Sequence, residues 1–243
     1  MKFFKSKKKI ENRLQDVLNN KIYFGPFSAL KIPNSVFNLL SVTEVLGLYE
    51  SCLHPIFSIL INRNVKEIII VGGNNGYYAA GLKYFFNPEN IKVYEIEEKF
   101  HNVIDSWFVD NNFKNYQILG EATVDNFKQI DIKIDLLFMD CEGAEELLLN
   151  PTIFQWQKAS DILVELHPFY VQNLIPNLTK RFTKTHEIVL IYDDFTEDDK
   201  VKKLLNGFEI DYKHIEHPKH RWITENSQKV FTSGVFMYLQ VKA

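Results

Sequence analysis

Cysteine is scarce: the 243-residue chain has two, Cys52 and Cys141. Two thiols make no disulfide framework, and neither stands beside a second ligand at metal-binding spacing. Long apolar runs are missing too, and no window is expected to approach the ~20 apolar residues of a membrane span. Basic charge is not in excess. The formal net charge of -3 argues against a nucleic-acid binder, which is normally strongly basic. The G-x-G-x-x-G turn of a dinucleotide site and the G-K-[ST] of a triphosphate site are both absent. No repeat or low-complexity linker appears. What remains is a chain long enough for one substantial core, in a reducing, cytoplasmic setting. The opening MKFFKSKKKI concentrates Lys2, Lys5, Lys7, Lys8 and Lys9. It reads as a solvated tail and not a signal peptide, because no apolar segment follows the lysines.

Residues 11–20 predict a short helix that ends before the turn "FGPF" of Phe24 to Phe27. From Ser41 onward Leu46, Tyr49, Leu53, Phe57 and Leu60 recur at helical spacing, and Pro55 is expected to kink or divide that helix. After Asn64 short apolar runs alternate with helical stretches. Strands are predicted at Glu67–Gly72, Ile91–Glu95, Tyr116–Leu119, Ile134–Asp140, Asp161–Leu166, His186–Tyr192 and, last, Ser233–Gln240. Helices are predicted around Tyr77–Phe86, Lys99–Asn112, Ala144–Leu149, Tyr170–Phe182 and Glu197–Leu205. Continuous apolar strands such as "IDLLFMD" suit a parallel sheet covered on both faces. The expected fold is therefore α/β, a Rossmann-like doubly wound sheet over residues 65–243, preceded by an N-terminal helical extension or lid over 1–64. Ligands of such a sheet bind beyond the carboxyl ends of the strands.

Those ends carry polar groups. The first ends in Gly72, Gly73, Asn74, Asn75 and Gly76, running into a helix from Tyr77 whose amides suit an anion. The second ends in Glu95, nineteen residues past Gly76, where an acid accepts hydrogen bonds from ribose hydroxyls. Gly120, Glu121 and Ala122 follow the third, Asp140 and Glu142 the fourth, Glu165 and His167 the fifth. S-adenosylmethionine (SAM) fits better than a nicotinamide dinucleotide. It has no pyrophosphate to demand a three-glycine turn, and its ammonium and sulfonium charges favour the acids after the fourth strand.

The segments "VGGNNGYYAAGL", "VYEIEEKF", "LLFMDCEGAEELLL" and "ILVELHPF" resemble the class I SAM-dependent methyltransferases, specifically the FkbM-like group. In that group an E-G-x-E segment follows the fourth strand, here Glu142 to Glu145. "GPFSALKIP", "LGLYESCLHPI" and "RFTKTHEI" resemble an uncharacterised branch with the same GYY loop, so the likeness spans roughly Tyr23 to Tyr192. The resemblance implies a sheet of about seven strands with the last antiparallel, SAM as cofactor, and an O-methyl acceptor such as a sugar or another small-molecule hydroxyl. One departure stands out. Such enzymes usually carry an acid two residues before the first glycine of the loop, to hold the methionine ammonium, and here that place is Ile70. Asp140, Glu142 or Glu50 would then have to serve.

Methyl transfer to oxygen needs in-line alignment and a base. His167 is the candidate base, with Glu165 beside it; the bland alternative is a strand-capping histidine before Pro168. Tyr49, Glu50 and His54 are candidates for a lid or substrate contact, or for a surface ion pair on a packing helix, with Glu145 grouped on the substrate side. Trp107, Phe169, Tyr170 and Trp222 are pocket candidates, though isolated aromatics are more often core. The histidines of "HIEHPKH" lack supporting ligands, so no metal is assigned there. The rival readings are a metal-assisted O-methyltransferase, using Asp140 with Asp193 or Asp194, and a non-catalytic adenosine-ligand binder that keeps the fold.

Overall fold

A computed structural model describes residues 13–168, 170–171, 173–193, 197–210, 221–225, 228–232 and 234–242, with the backbone alone at 197–198, 221–225 and 228–232. The strands are β1 (Glu67–Val71), β2 (Asn90–Tyr94), β3 (Tyr116–Leu119), β4 (Leu136–Met139), β5 (Asp161–Glu165), β6 (His186–Tyr192), β7 (Arg221–Glu225), β8 (Gln228–Thr232) and β9 (Val235–Val241). Seven of them form one sheet in the order β3-β2-β1-β4-β5-β9-β6. Neighbours among β1 to β5 are parallel, and β9 runs antiparallel to both β5 and β6. The Rossmann-like sheet with an antiparallel last strand is thus observed. The strand order reverses at β1, with β2 on one side and β4 on the other, so a crevice opens at their carboxyl ends. The β7–β8 hairpin is an addition that no expected element covers.

Alternate residues of each central strand enter different cores. Ile68, Ile70, Leu136, Phe138 and Leu163 pack in one apolar cluster, while Ile69, Val71, Leu137, Met139, Ile162 and Val164 pack in the other. Burial on both faces explains why these strands read as continuous apolar runs. Helices cover them: α1 (13–18), α2 (Val42–Leu46), α3 (His54–Leu60), α4 (Tyr77–Phe86), α5 (Glu98–Asp110), α6 (Val124–Lys128), α7 (Glu145–Leu148), α8 (Leu174–Phe182) and α9 (Glu197–Gly207). The helix α6 was not expected. It starts on a capping box of Thr123 and Asn126, in which Asn replaces the Glu or Gln that marks such starts in sequence.

The N-terminal extension shares the first core with the sheet. Phe27 is 3% exposed, with its ring 5.7 Å from Phe57 and 5.4 Å from Tyr77. The expected single helix after Ser41 is two helices, and its break lies upstream of Pro55. Gly47 ends α2 in the left-handed conformation, and Glu50 is left-handed as well (φ 47°). Pro55 sits in the first turn of α3, where its missing N–H costs nothing. Glu50 therefore does not stand one helical turn from His54. A second correction concerns hydropathy. Val42–Arg63 reaches a window mean of 1.3 and meets the length and composition of a membrane span, against expectation. It folds as α2, α3 and 3-10 turns, with half of that window buried inside the protein.

Candidate functional site

The carboxyl ends of β1, β2, β3 and β4 enclose a cavity of about 310 Å³. Its polar lining includes Gly72, Asn74, Glu95, Glu121, Asp140 and Glu142, and its apolar lining Tyr94, Ile96, Phe100 and Leu148. The sheet's hydrogen bonding runs on into this rim. The amide of Gly72 donates to Tyr94 O at 2.9 Å, and that of Asp140 to Val71 O at 2.8 Å. Gly72 has φ 90°, and a Cβ there would lie 1.7 Å from the carbonyl oxygen of Asp140, so no other residue fits the crossing of β1 and β4. Glu95 is 6% exposed and its carboxylate accepts from the amides of Asn74 and Glu97, each at 2.7 Å. Two amides thus fix the acid against the cavity wall and leave it lone pairs for a ligand.

Part of the loop faces away from this cavity. A Cβ at Gly73 would lie 2.7 Å from both Ile104 and Val93, and one at Gly76 would lie 2.6 Å from Trp107. The Asn75 side chain donates to Glu44 Oε1 at 2.6 Å, and its carbonyl accepts from Trp107 Nε1 at 2.9 Å. Tyr77 is 3% exposed, and its amide is taken by Asn75 Oδ1. Gly73, Asn75, Gly76 and Tyr77 therefore bind the loop to α5 and the N-terminal extension instead of lining the cavity, and Gly120 is likewise outside the lining. Ala122 and Glu121 do line it. Ile70 is fully buried in the first core, beside Val93 and Phe138 in the sheet, and offers the cavity nothing.

A carboxylate–histidine cluster adjoins the cavity at Asp140 and Glu142. Chain reversal after β4 needs the left-handed Glu142 (φ 52°) followed by Gly143 (φ 119°), and α7 then buries Glu145 completely. Glu145 Oε1 accepts from Gly143 N at 3.2 Å and contacts Nδ1 of His167. The other ring nitrogen, Nε2, lies 3.5 Å from Glu142 Oε2, 3.8 Å from Asp140 Oδ1 and 3.9 Å from Glu165 Oε1. Glu165 ends β5 and His167 lies beyond it, yet both reach the cluster. Glu145 was expected on the substrate side; being fully buried, it instead orients His167.

Burial would depress the His167 imidazole, but the hydrogen bond and charge of Glu145, with Asp140 and Glu142, hold it above the usual value. Burial raises Asp140, opposed by His167 and reinforced by Glu142. Tyr49 senses the same charges: Glu50 first, then burial, Asp140, Glu165 and Glu44 push its phenol well up. The Tyr78 hydroxyl donates to Glu50 Oε2 at 2.5 Å. Tyr49 thus lies within the field of Asp140 and Glu165, with Glu50 acting on it most strongly. Cys141 lines the cavity, but burial, followed by the charge of Glu145, pushes its thiol up and makes it a poor nucleophile.

Sequence reasoning missed Glu44, Tyr94, Ile96 and Phe100. The last three flank Glu95 in "VYEIEEKF", so the segment was visible while its apolar members were not singled out. Trp107, a pocket candidate, is fully buried core, and Tyr170 is 61% exposed. Phe169, Asp194 and the histidines of "HIEHPKH" lie outside the described residues, as does the side chain of Trp222.

The chain matches no family model and no curated protein. Among solved structures it is similar to an O-methyltransferase from Bacillus cereus in complex with S-adenosylhomocysteine (SAH), at 14% identity and TM-score 0.49, covering 95% of this chain and 91% of that one. It is similar to the O-methyltransferase TomG from Streptomyces achromogenes in complex with SAM, at 13% identity and TM-score 0.45, covering 78% and 81%. It is also similar to spermidine synthase from Thermotoga maritima, at 11% identity and TM-score 0.46, covering 77% of this chain and 57% of that one. Likeness at this level leaves the site to be read from its own residues.

Proposed function

We propose that the protein is a SAM-dependent methyltransferase acting on a small-molecule hydroxyl, such as that of a sugar, and that it belongs with the FkbM-like group its motifs resemble. One observation carries the reading. A cavity holding a fixed acid at the end of β2 meets a carboxylate–histidine cluster at Asp140 and Glu142. The cavity's volume and its mix of apolar wall and few polar groups suit a nucleoside ligand. Glu95 accepts the ribose hydroxyls, and Tyr94, Ile96 and Phe100 pack on the adenine. Glu142, with 71% of its side chain exposed, meets the ammonium that Ile70 does not.

SAM supplies, when bound, a methyl group on a positively charged sulfur. The chain's task is to align an acceptor and take charge of its proton. The acceptor enters beside Tyr49 and Glu50. With SAM held by Glu95 and Glu142, an acceptor oxygen aligned there would take the methyl group, and the cluster of His167 and Glu165 would receive its proton. The test is incubation of the protein with methyl-labelled SAM and a small-molecule extract, followed by identification of labelled products. The expected product is an O-methyl ether. No label in any fraction, from protein that binds SAH, would contradict catalysis and leave the non-catalytic binder.

A further inference from the structure

The cluster between β4 and β5 has the arrangement of a metal site. Donor atoms of Asp140, Glu165 and His167 all lie within 4.8 Å of one another. Ligands sharing one ion at bonds of about 2.0–2.2 Å stand roughly 3–3.5 Å apart, so a contraction of at most about 1–2 Å closes the set. Three further observations point the same way. Asp140 Oδ1 is buried and has no hydrogen-bond partner among the described residues, an arrangement that is costly unless something else engages the atom. Nδ1 of His167 is held by the fully buried Glu145, as the far nitrogen of a metal-ligating histidine usually is by a carboxylate. Nε2 is the nitrogen that faces Asp140 and Glu165. Finally, Asp140 and Glu142 make no ion pair with lysine or arginine among the described residues.

We propose that Asp140, Glu165 and His167 bind one divalent cation of the kind that accepts mixed nitrogen and oxygen ligands, such as Mn²⁺ or Zn²⁺, with Glu145 as a positioning residue acting through Nδ1. This ligand set differs from the expected pairing with Asp193, which is not among the converging donors. The chemical consequence rests on the methyl-transfer reading: a hydroxyl bound to the cation would be acidified, and with the ion in place His167 and Glu165 would act as its ligands in place of the proton-accepting role given them above. The binding itself does not depend on that reading.

The experiment uses the full chain, stripped with a chelator, shown by circular dichroism to remain folded, and titrated without SAM. Manganese chloride is followed by the electron paramagnetic resonance signal of free Mn²⁺, and zinc chloride by calorimetry. One ion should bind per chain. Asp140→Asn and His167→Ala should each weaken it at least ~30-fold, Glu145→Gln about 10–100-fold, and Glu95→Ala should leave it unchanged. If either ligand variant unfolds, Glu165→Gln takes its place. The site is overturned if neither ion saturates folded wild-type protein below about 1 mM, or if two folded ligand variants bind as tightly as wild type. SAH binding is measured on the same sample. Loss of the metal result with SAH binding intact refutes the site alone, and the reverse refutes the methyl-transfer reading alone.

Discussion

Glu95 is the side chain on which the cofactor reading turns. Its carboxylate has two jobs, tying Asn74 to the end of β2 and facing the cavity. Glu95→Ala should weaken SAH about 10–100-fold, the worth of one or two hydrogen bonds to a charged group. Calorimetric affinity within about 3-fold of wild type would contradict the ribose assignment. Ile70 invites the opposite substitution. Ile70→Asp supplies the acid usual in the methyltransferases whose motifs the sequence resembles, but it places a carboxyl in a fully buried position between Val93 and Phe138. It should cost stability on the order of 3 kcal/mol in denaturant unfolding and gain no SAH affinity. A stable, tighter-binding variant would show that Ile70 faces the ligand. Glu95, Asp140, Glu142, Glu165 and His167 were legible because polar residues at the ends of apolar strands have one crevice to face. Glu145 was not, since its spacing from Glu142 does not say that α7 turns it inward to His167.

The turn after β1 is legible in sequence as a turn but not as a contact. Its glycines look made for a ligand, whereas Gly72 is required by the backbone of β4 and Gly73 by Ile104 and Val93. Gly72→Ala should destabilise the protein by at least ~2–3 kcal/mol, through a left-handed backbone and a clash with a carbonyl that no rotamer relieves. A change below about 0.5 kcal/mol in unfolding would contradict that geometry. The N-terminal extension carries the second test. A detachable lid would tolerate loss of its anchor, but Phe27 lies against Phe57, Tyr77 and Tyr78 in the common core. Phe27→Ala should cost about 3–5 kcal/mol, and a cost under ~1 kcal/mol would favour the lid. The break between α2 and α3 was misplaced for a local reason. Proline is a strong sequence signal, but at the first turn of a helix it is harmless, and the actual break rests on Gly47 and Glu50.

Taken whole, the middle of the sheet was readable because strands buried on both faces leave unmistakable apolar runs; the β7–β8 hairpin lies outside that sheet and leaves none. The folded protein also excludes a proton that the unfolded chain accepts. Burial, helped by the charge of Lys200, lowers His54 to about 4, and burial lowers His186 as well. An unfolded histidine titrates near ~6.5. The contribution of His54 is therefore intact above about pH 6.5 and is lost as pH falls toward about 4. Glu44 and Asp161, both raised by burial, act in the opposite direction, so a single-site comparison is needed. Between about pH 6.5 and 4.5 the wild-type Tm should fall by several degrees more than that of His54→Gln, and parallel curves would contradict the burial of a neutral imidazole. The carboxyl ends of β1, β2, β3 and β4 converge on one cavity at the reversal of strand order, and its occupant is the decisive question. Calorimetric titration of the full chain with SAH should show one site per chain with micromolar or tighter affinity, sharply weakened in Glu95→Ala. No heat of binding and no thermal shift with either SAH or SAM would contradict the account.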